Sequence, residues 1–93
     1  KKLYRTGPYA DFFSQGVQTG NVLTLAGQLG NNEDGSVPRD IKDQMINCYN
    51  NIKNVLSEFG ATLDNVIDET WFVTDVNECM ENVSEIFDER ENI

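Results

Sequence analysis

Two apolar runs separated by a short turn constrain this fold more than any other feature of the chain. The first run begins at Phe13, the second extends from Val22 to Leu29, and Gly20-Asn21 lies between them. A Gly-Asn pair supplies the positive φ angles of a tight connection between antiparallel strands. The pattern therefore predicts a β-hairpin in the first third of the chain.

An amphipathic helix is predicted from Asp40 to Phe59. Asp40 is suited to the N-cap position, and Gly60 follows where a left-handed C-terminal cap belongs. The opposite face of this helix, which carries several asparagines, is predicted to be solvated without a special role. The apolar positions recur at helical spacing over five turns: Ile41, Met45, Cys48, Tyr49, Ile52, Val55, Leu56 and Phe59.

A third strand is predicted from Asn65 to Thr74, with large apolar groups on both faces. A second helix is predicted to begin near Val76, after an Asp75 or Asn77 cap. Residues 1–11 are predicted to form an irregular arm or edge segment. The order β-β-α-β-α places both helices on one face of the sheet. The other face lacks cover within a monomer, which favours oligomerisation.

Length and charge exclude several classes of function. The chain has 93 residues, which indicates a single domain over 1–93, and it carries a net charge of −9 with no histidine. Without a basic surface to neutralise phosphates, nucleic acid is an unlikely partner. Without histidine there is no Ser-His or Cys-His nucleophile pair. No apolar run approaches the ~20 residues of a membrane span, so we predict no membrane association and a cytoplasmic location.

Several motifs match the RidA/YjgF family, whose older labels are endoribonuclease L-PSP and translation inhibitor. The hairpin resembles the family's aromatic-Ser-Gln-x-Val strand followed by Gly-Asn and a strand ending in Ser-Gly-Gln. The match continues in order over about residues 12–88. The further matching segments are Asp40-Ile41 with Gln44, Asn51-Ile52 with Val55-Leu56, Phe59 to Val66, and Val73 to Asp75.

The resemblance implies a chorismate-mutase-like α+β fold and a homotrimer whose sheets line an inner barrel. It also implies ligand clefts between subunits, which in active members hydrolyse enamine or imine intermediates of the 2-aminoacrylate type to 2-keto acids and ammonia. The partner would be such a small imine, enamine or keto acid, and neither a metal nor an organic cofactor would take part.

Carried over position by position, the resemblance places Phe13, Ala26 and Gly27 in the substrate-binding cleft. Phe13 occupies the position of an aromatic hydroxyl, and Ala26 occupies that of a strand serine, so both have lost the polar group. Gln15 begins a strand beside this cleft and is a further candidate. Tyr9 belongs to a Gly-Pro-Tyr motif, but its distance from Gly20 sets it aside in favour of Phe13.

The family's carboxylate-binding arginine belongs to a late strand that would lie beyond Ile93, so the catalytic residue is unknown within this chain. We therefore expect the chain to lack the C-terminal strands of the fold. Arg5, Arg39 and Arg90 do not match the family position, and surface roles are predicted for Arg39 and Arg90.

Other candidate groups have simpler interpretations. The acidic turn at 31–35 lacks the carboxylate spacing of a calcium loop. Asp68 and Glu69 are adjacent in a predicted strand, so they would point to opposite faces and could not act as an acid/base pair. Cys48 and Cys79 lie on apolar helix stripes and are predicted to be buried thiols.

Two functional hypotheses remain open. The first is an imine deaminase whose arginine follows Ile93. The second is a family member with altered cleft chemistry that acts as a small-molecule-binding or regulatory trimer, and Phe13 and Ala26 favour it.

Overall fold

A computed structural model describes all residues of the chain, 1–93. Three strands precede three helices, which gives an α+β architecture. No helix is both long enough and apolar enough to cross a membrane. The elements are β1 (Lys2–Tyr4), β2 (Gly16–Thr19), β3 (Val22–Leu25), α1 (Ile41–Ser57), a 3₁₀ turn at Leu63–Asn65, α2 (Val76–Glu81) and α3 (Val83–Asn92).

The three strands form one antiparallel sheet in the order β1-β2-β3. The predicted hairpin is confirmed, with Thr19 paired to Val22 and Gly20 at φ +61° in the turn. The N-terminal arm contains a short edge strand, β1, in which Leu3 pairs with Val17. Three residues are too few to show a strand period in the sequence, so only the edge position of this segment was predictable.

Helix α1 confirms the predicted amphipathic helix. Asp40 occupies its N-cap position in an extended conformation, but its side chain makes no capping hydrogen bond. The helix ends at Ser57, and Gly60, three residues further on, has a left-handed φ of +72°. The Gly60 amide donates to the Ser57 carbonyl at 3.1 Å and the Ala61 amide donates to the Leu56 carbonyl at 3.0 Å. These two bonds satisfy carbonyls that the last turn would leave unpaired.

The prediction of a strand from Asn65 to Thr74 is wrong for this chain. No sheet hydrogen bonds form along 67–74, and no neighbouring strand lies beside this segment. Side chains hold it instead, because Trp71 and Val73 pack against the helical core. Phe72 and Ile67 are 94% and 100% exposed. A strand requires a partner for its backbone groups, and period-two patterning alone does not supply one.

The second predicted helix is divided into α2 and α3. Asn82 separates them with φ −105° and ψ 3°, which lies outside the helical region. Asp75 caps α2 as predicted, since its carboxylate accepts a hydrogen bond from the Glu78 amide at 3.0 Å. Asparagine favours such breaks because its side chain competes for local backbone groups. Here Nδ2 of the Asn82 side chain donates to the Glu78 carbonyl at 2.8 Å.

The core lies between the three helices. Its buried cluster consists of Met45, Tyr49, Cys79 and Ile86, with Trp71 and Val73 packed at its margin. Both cysteines are free, with Cys79 buried and Cys48 partly buried, as predicted. Only seven residues of the chain are buried, so the core is small and large apolar side chains remain at the surface.

Candidate functional site

Strand β2 packs against α1 at Gly16, and this contact decides which face of the sheet is open. A Cβ atom at Gly16 would lie 2.6 Å from Cε2 of Phe59 and 3.1 Å from Cγ1 of Val55. Side chains alternate along a strand, so the preceding Gln15 is directed to the opposite face. The open face also carries Leu3 and Val22, which are 50% and 60% exposed.

Two of the predicted cleft residues meet on this open face. Gly16 pairs with Leu25 across the hairpin. The next pair outward is therefore Gln15 with Ala26, and the Ala26 amide donates to the Gln15 carbonyl at 2.9 Å. Gln15 and Ala26 are thus direct neighbours across the two strands.

Gln28 joins these two residues and was missed by the sequence analysis. Its Nε2 donates to Oε1 of Gln15 and to the carbonyl oxygen of Ala26, both at 3.0 Å. Its own carbonyl accepts a 3.5 Å contact from Sγ of Cys48, which ties it to α1. The signal that could have found Gln28 is its position two residues after Ala26, which places both side chains on one face of an extended segment.

Gly27 is exposed, and its amide donates to no backbone oxygen. A Cβ atom there would meet nothing within 4 Å. A free N–H group beside a neighbouring side-chain amide can bind an acceptor oxygen of a small molecule. We call Gln15, Ala26, Gly27 and Gln28 the glutamine patch.

Phe13, the fourth predicted cleft residue, is held by a different contact. Its ring stacks on Tyr9, with centroids 5.7 Å apart and 17° between the planes. The amides of Phe12 and Phe13 both donate to the Tyr9 carbonyl, at 2.9 and 3.1 Å, which forms the turn. No hydrogen bond links Phe13 to the glutamine patch. Tyr9, the alternative aromatic of the Gly-Pro-Tyr motif, therefore lies directly beside Phe13.

The arginines differ in how they are paired. Arg5 donates from Nε to Oγ of Ser14 at 3.1 Å and from Nη1 to the Ala10 carbonyl at 3.0 Å, and it has no acidic partner. It therefore lies next to the segment that leads into β2. The predicted surface role of Arg90 is wrong, because its side chain is only 19% exposed and forms an ion pair with Glu69 at 3.2 Å.

Glu69 is the centre of a polar network that fastens the extended segment to the helices. Its carboxylate accepts hydrogen bonds from the Tyr49 hydroxyl and from Nε1 of Trp71, the latter at 3.1 Å. The Arg90 guanidinium lies 5.4 Å from the centre of the Tyr49 ring. The adjacent Asp68 forms no hydrogen bond or ion pair in this network.

The environment of this network changes the acidity of its members. Burial and the hydrogen bond to Glu69 raise the pKa of Tyr49 above its usual range. Burial alone would raise the pKa of Glu69, but hydrogen bonds from Tyr49 and Trp71 and the charge of Arg90 outweigh it, so the pKa is lowered. Glu69 is therefore an ionised, fully engaged acceptor and is not poised to take a proton near neutral pH.

A surface hollow of about 380 Å³ shares no residue with the glutamine patch and has no apolar side chain in its lining. The prediction that the asparagine face of α1 is only solvated is wrong for Asn47 and Asn51, because both side chains hydrogen-bond to the backbone of another segment. Asn47 donates to the Gly30 carbonyl at 3.1 Å, and Asn51 donates to the Leu29 carbonyl at 3.0 Å. The lining of this asparagine groove is Asn31, Asn32, Glu33, Asn47, Asn50, Asn51 and Asn54.

No group of three or more potential metal-ligating His, Cys, Asp or Glu side chains is present. Burial raises the pKa of the Cys48 thiol, which keeps it protonated and weakly nucleophilic. The chemistry that the glutamine patch can offer is therefore hydrogen bonding to a ligand, with water as the reactant for any hydrolysis.

Comparison with known proteins identifies the family. The family model described as Endoribonuclease L-PSP matches residues 5–91. The chain is 31% identical over 77 residues to the RutC family protein YjgH of Escherichia coli, which covers 83% of this chain and 59% of that protein. It is 32% identical over 84 residues to a RutC family protein of Aquifex aeolicus, which covers 89% of this chain and 63% of that protein.

A further relative carries a name that states an activity. The 2-iminobutanoate/2-iminopropanoate deaminase of Escherichia coli is 33% identical over 73 residues, which covers 77% of this chain and 54% of the deaminase. The chain thus spans between half and two thirds of the length of these curated relatives.

Proposed function

Because this chain belongs to the RidA/YjgF family, also described as endoribonuclease L-PSP, we propose that it binds small 2-imino or 2-keto acids at the glutamine patch. As a RidA-like protein it would hydrolyse reactive imines to 2-keto acids and ammonia. The similarity to a protein named as a 2-iminobutanoate/2-iminopropanoate deaminase supports this proposal.

The observation that carries the proposal is the arrangement of donors on the open sheet face. Gly27 offers an unpaired amide beside the Gln15 and Ala26 pair. Hydrolysis of an imine requires water to add to the C=N carbon, after which ammonia leaves and the carbonyl forms. Fixed N–H donors that hold the substrate oxygens can orient that carbon toward water, and no protein nucleophile is needed.

A cation would add to the affinity that the N–H donors of the glutamine patch provide for the carboxylate of such a substrate. Arg90 is committed to Glu69, so it is not available for this role. Arg5 has no acidic partner, but its hydrogen bonds lead to Ser14 and Ala10 rather than to the glutamine patch. The family resemblance places the carboxylate-binding arginine in a later strand, and we keep that placement as part of the proposal.

A homotrimer in the cytoplasm is part of the proposal. The face of the sheet opposite α1 exposes Leu3 and Val22, and the extended segment exposes Ile67 and Phe72. Apolar surface of this kind in a domain with a small core is stabilised when another copy covers it. Light scattering at micromolar concentration should give three times the chain mass, and a monomeric mass would contradict this part.

A second candidate function is a trimer that binds a small acid without hydrolysing it. It is favoured by the residues at two cleft positions, since Phe13 has no hydroxyl and Ala26 has no hydrogen-bonding side chain. Cleavage of RNA is not proposed, because the chain has no histidine and a net charge of −9.

An imine-trapping assay separates the two candidates. An L-amino-acid oxidase generates 2-iminobutanoate, and semicarbazide captures the imine that remains. A deaminase lowers semicarbazone formation in proportion to its concentration, whereas a pure binding protein does not. The double variant Ala26→Ser with Phe13→Tyr is expected to increase hydrolysis in a chain that also carries the arginine. No gain in such a chain would argue against a deaminase cleft at these positions.

A further inference from the structure

Both side-chain hydrogen-bond donors of Gln28 are used within the chain, and this fixes the orientation of the neighbouring Gln15 side chain. Its amide nitrogen carries two hydrogens, and these are directed to Oε1 of Gln15 and the carbonyl oxygen of Ala26, each at 3.0 Å. Nε2 of Gln15 has no partner in the chain and is not among the buried polar atoms without one. It is therefore a solvent-accessible donor.

The backbone determines this orientation, so it does not depend on how the two amide groups are assigned. The carbonyl oxygen of Ala26 can only accept, so the group of Gln28 that faces it must be the NH₂. That same NH₂ lies against Gln15, which must then present its oxygen to Gln28. The nitrogen of Gln15 is left on its other side.

We propose that Gln28 is a positioning residue that locks Gln15 as a hydrogen-bond donor to the ligand. The proposal rests on the proposed function and deepens it, because it defines which ligand groups the patch accepts. Gln15 and the Gly27 amide both present N–H groups, so the patch recognises acceptor oxygens. A 2-keto acid offers such oxygens at the carbonyl and the carboxylate, whereas the ammonium group of the related amino acid is itself a donor and is disfavoured.

The test uses 2-ketobutyrate, a stable keto acid, and the 93-residue chain. Binding is followed by NMR with ¹⁵N-labelled wild type, Gln28→Glu and Gln18→Glu. A glutamate at 28 accepts only, so it would draw the NH₂ of Gln15 inward and turn its oxygen toward the ligand. We expect about a tenfold or larger loss of affinity, as for a lost hydrogen bond to a charged group.

Gln18→Glu is the matched control for added charge. Gln18 also lies on β2, but its side chain donates to the Gly20 carbonyl at 3.1 Å, away from the patch. The affinity of Gln18→Glu for 2-ketobutyrate should stay within about twofold of wild type. An equal loss in both variants would mean that charge alone is responsible, and no loss in Gln28→Glu would overturn the donor role.

A second readout keeps the proposal testable if Gln28→Glu does not fold. In wild type the side-chain NH₂ of Gln28 should exchange with solvent more slowly than that of Gln15, and 2-ketobutyrate should shift only the latter. Gln28→Met, which keeps the length of the side chain, should weaken binding by releasing Gln15. If wild type does not bind 2-ketobutyrate, the proposed function fails and this inference fails with it. If wild type binds and the Gln15 signal does not move, the inference alone fails.

Discussion

Replacement of Gly16 by alanine tests the contact that orients the whole sheet. The added Cβ would lie 2.6 Å from Cε2 of Phe59 and 3.1 Å from Cγ1 of Val55, where carbon atoms normally stay about 3.5–4 Å apart. Val55 is buried, so it cannot move aside without disturbing α1. We expect Gly16→Ala to lower the free energy of unfolding by about 1–3 kcal/mol, the usual cost of overpacking.

The assay is urea unfolding followed by circular dichroism, with Gly27→Ala as the control. A Cβ at Gly27 meets nothing within 4 Å, so that variant should stay within about 0.5 kcal/mol of wild type. Combining Gly16→Ala with Phe59→Leu removes the ring atoms that the new methyl group meets. The double variant should therefore lose about 1 kcal/mol less free energy of unfolding than the two single variants lose together.

If Gly16→Ala has the same free energy of unfolding as wild type, β2 does not lie against α1 at Gly16. The assignment of Gln15 and Ala26 to the open face would then lose its basis, because it follows from the alternation of side chains from that contact.

Three further substitutions test other parts of the structure. Glu69→Gln removes a carboxylate whose folded-state pKa is lowered, so its stabilising effect is present above the usual value of 4.5 and is lost as the pH falls through the lower folded-state pKa. Urea unfolding should therefore show wild type more stable than Glu69→Gln at pH 7, and a difference that persists unchanged at pH 2 would contradict the network. Asn51→Ala removes the bond to the Leu29 carbonyl and should be less stable than its neighbour control Asn50→Ala by about 0.5–1.5 kcal/mol, while equal stabilities would count against that bond. Gly60→Ala places a side chain at φ +72° and should lower the free energy of unfolding by about 1–2 kcal/mol, which thermal unfolding would show as a lower melting temperature. An unchanged melting temperature would exclude the left-handed cap.

The local elements of this fold were predictable where the signal is contained within a few neighbouring residues. Gly20-Asn21 determines the hairpin turn, and the apolar stripe with Gly60 determines the extent of α1. The segment 65–74 was not predictable in the same way, because its alternation describes a strand that would need a partner. The polar network around Glu69 holds it instead, and this network depends on Arg90 of α3, which lies 21 residues further along the chain.

The candidate site was predictable in part. The resemblance selected Phe13, Ala26 and Gly27, and Gln15 was a further candidate at the start of the neighbouring strand. The register of the hairpin places Gln15 beside Ala26. Gln28 was missed, because its role appears only when the donors and acceptors of two side chains and one carbonyl are counted together. The contact of Phe13 with Tyr9 was missed for a related reason, since a turn that folds back on itself has no sequence period.

The most direct test of the central claim is a titration of the ¹⁵N-labelled chain with 2-ketobutyrate, followed residue by residue. If the glutamine patch is the ligand site, the amide signals of Gln15 and Gly27 should shift saturably, while those of Asn50 and Asn54 in the asparagine groove stay unchanged. Absence of any shift at the patch, or saturable shifts confined to the asparagine groove, would contradict the claim.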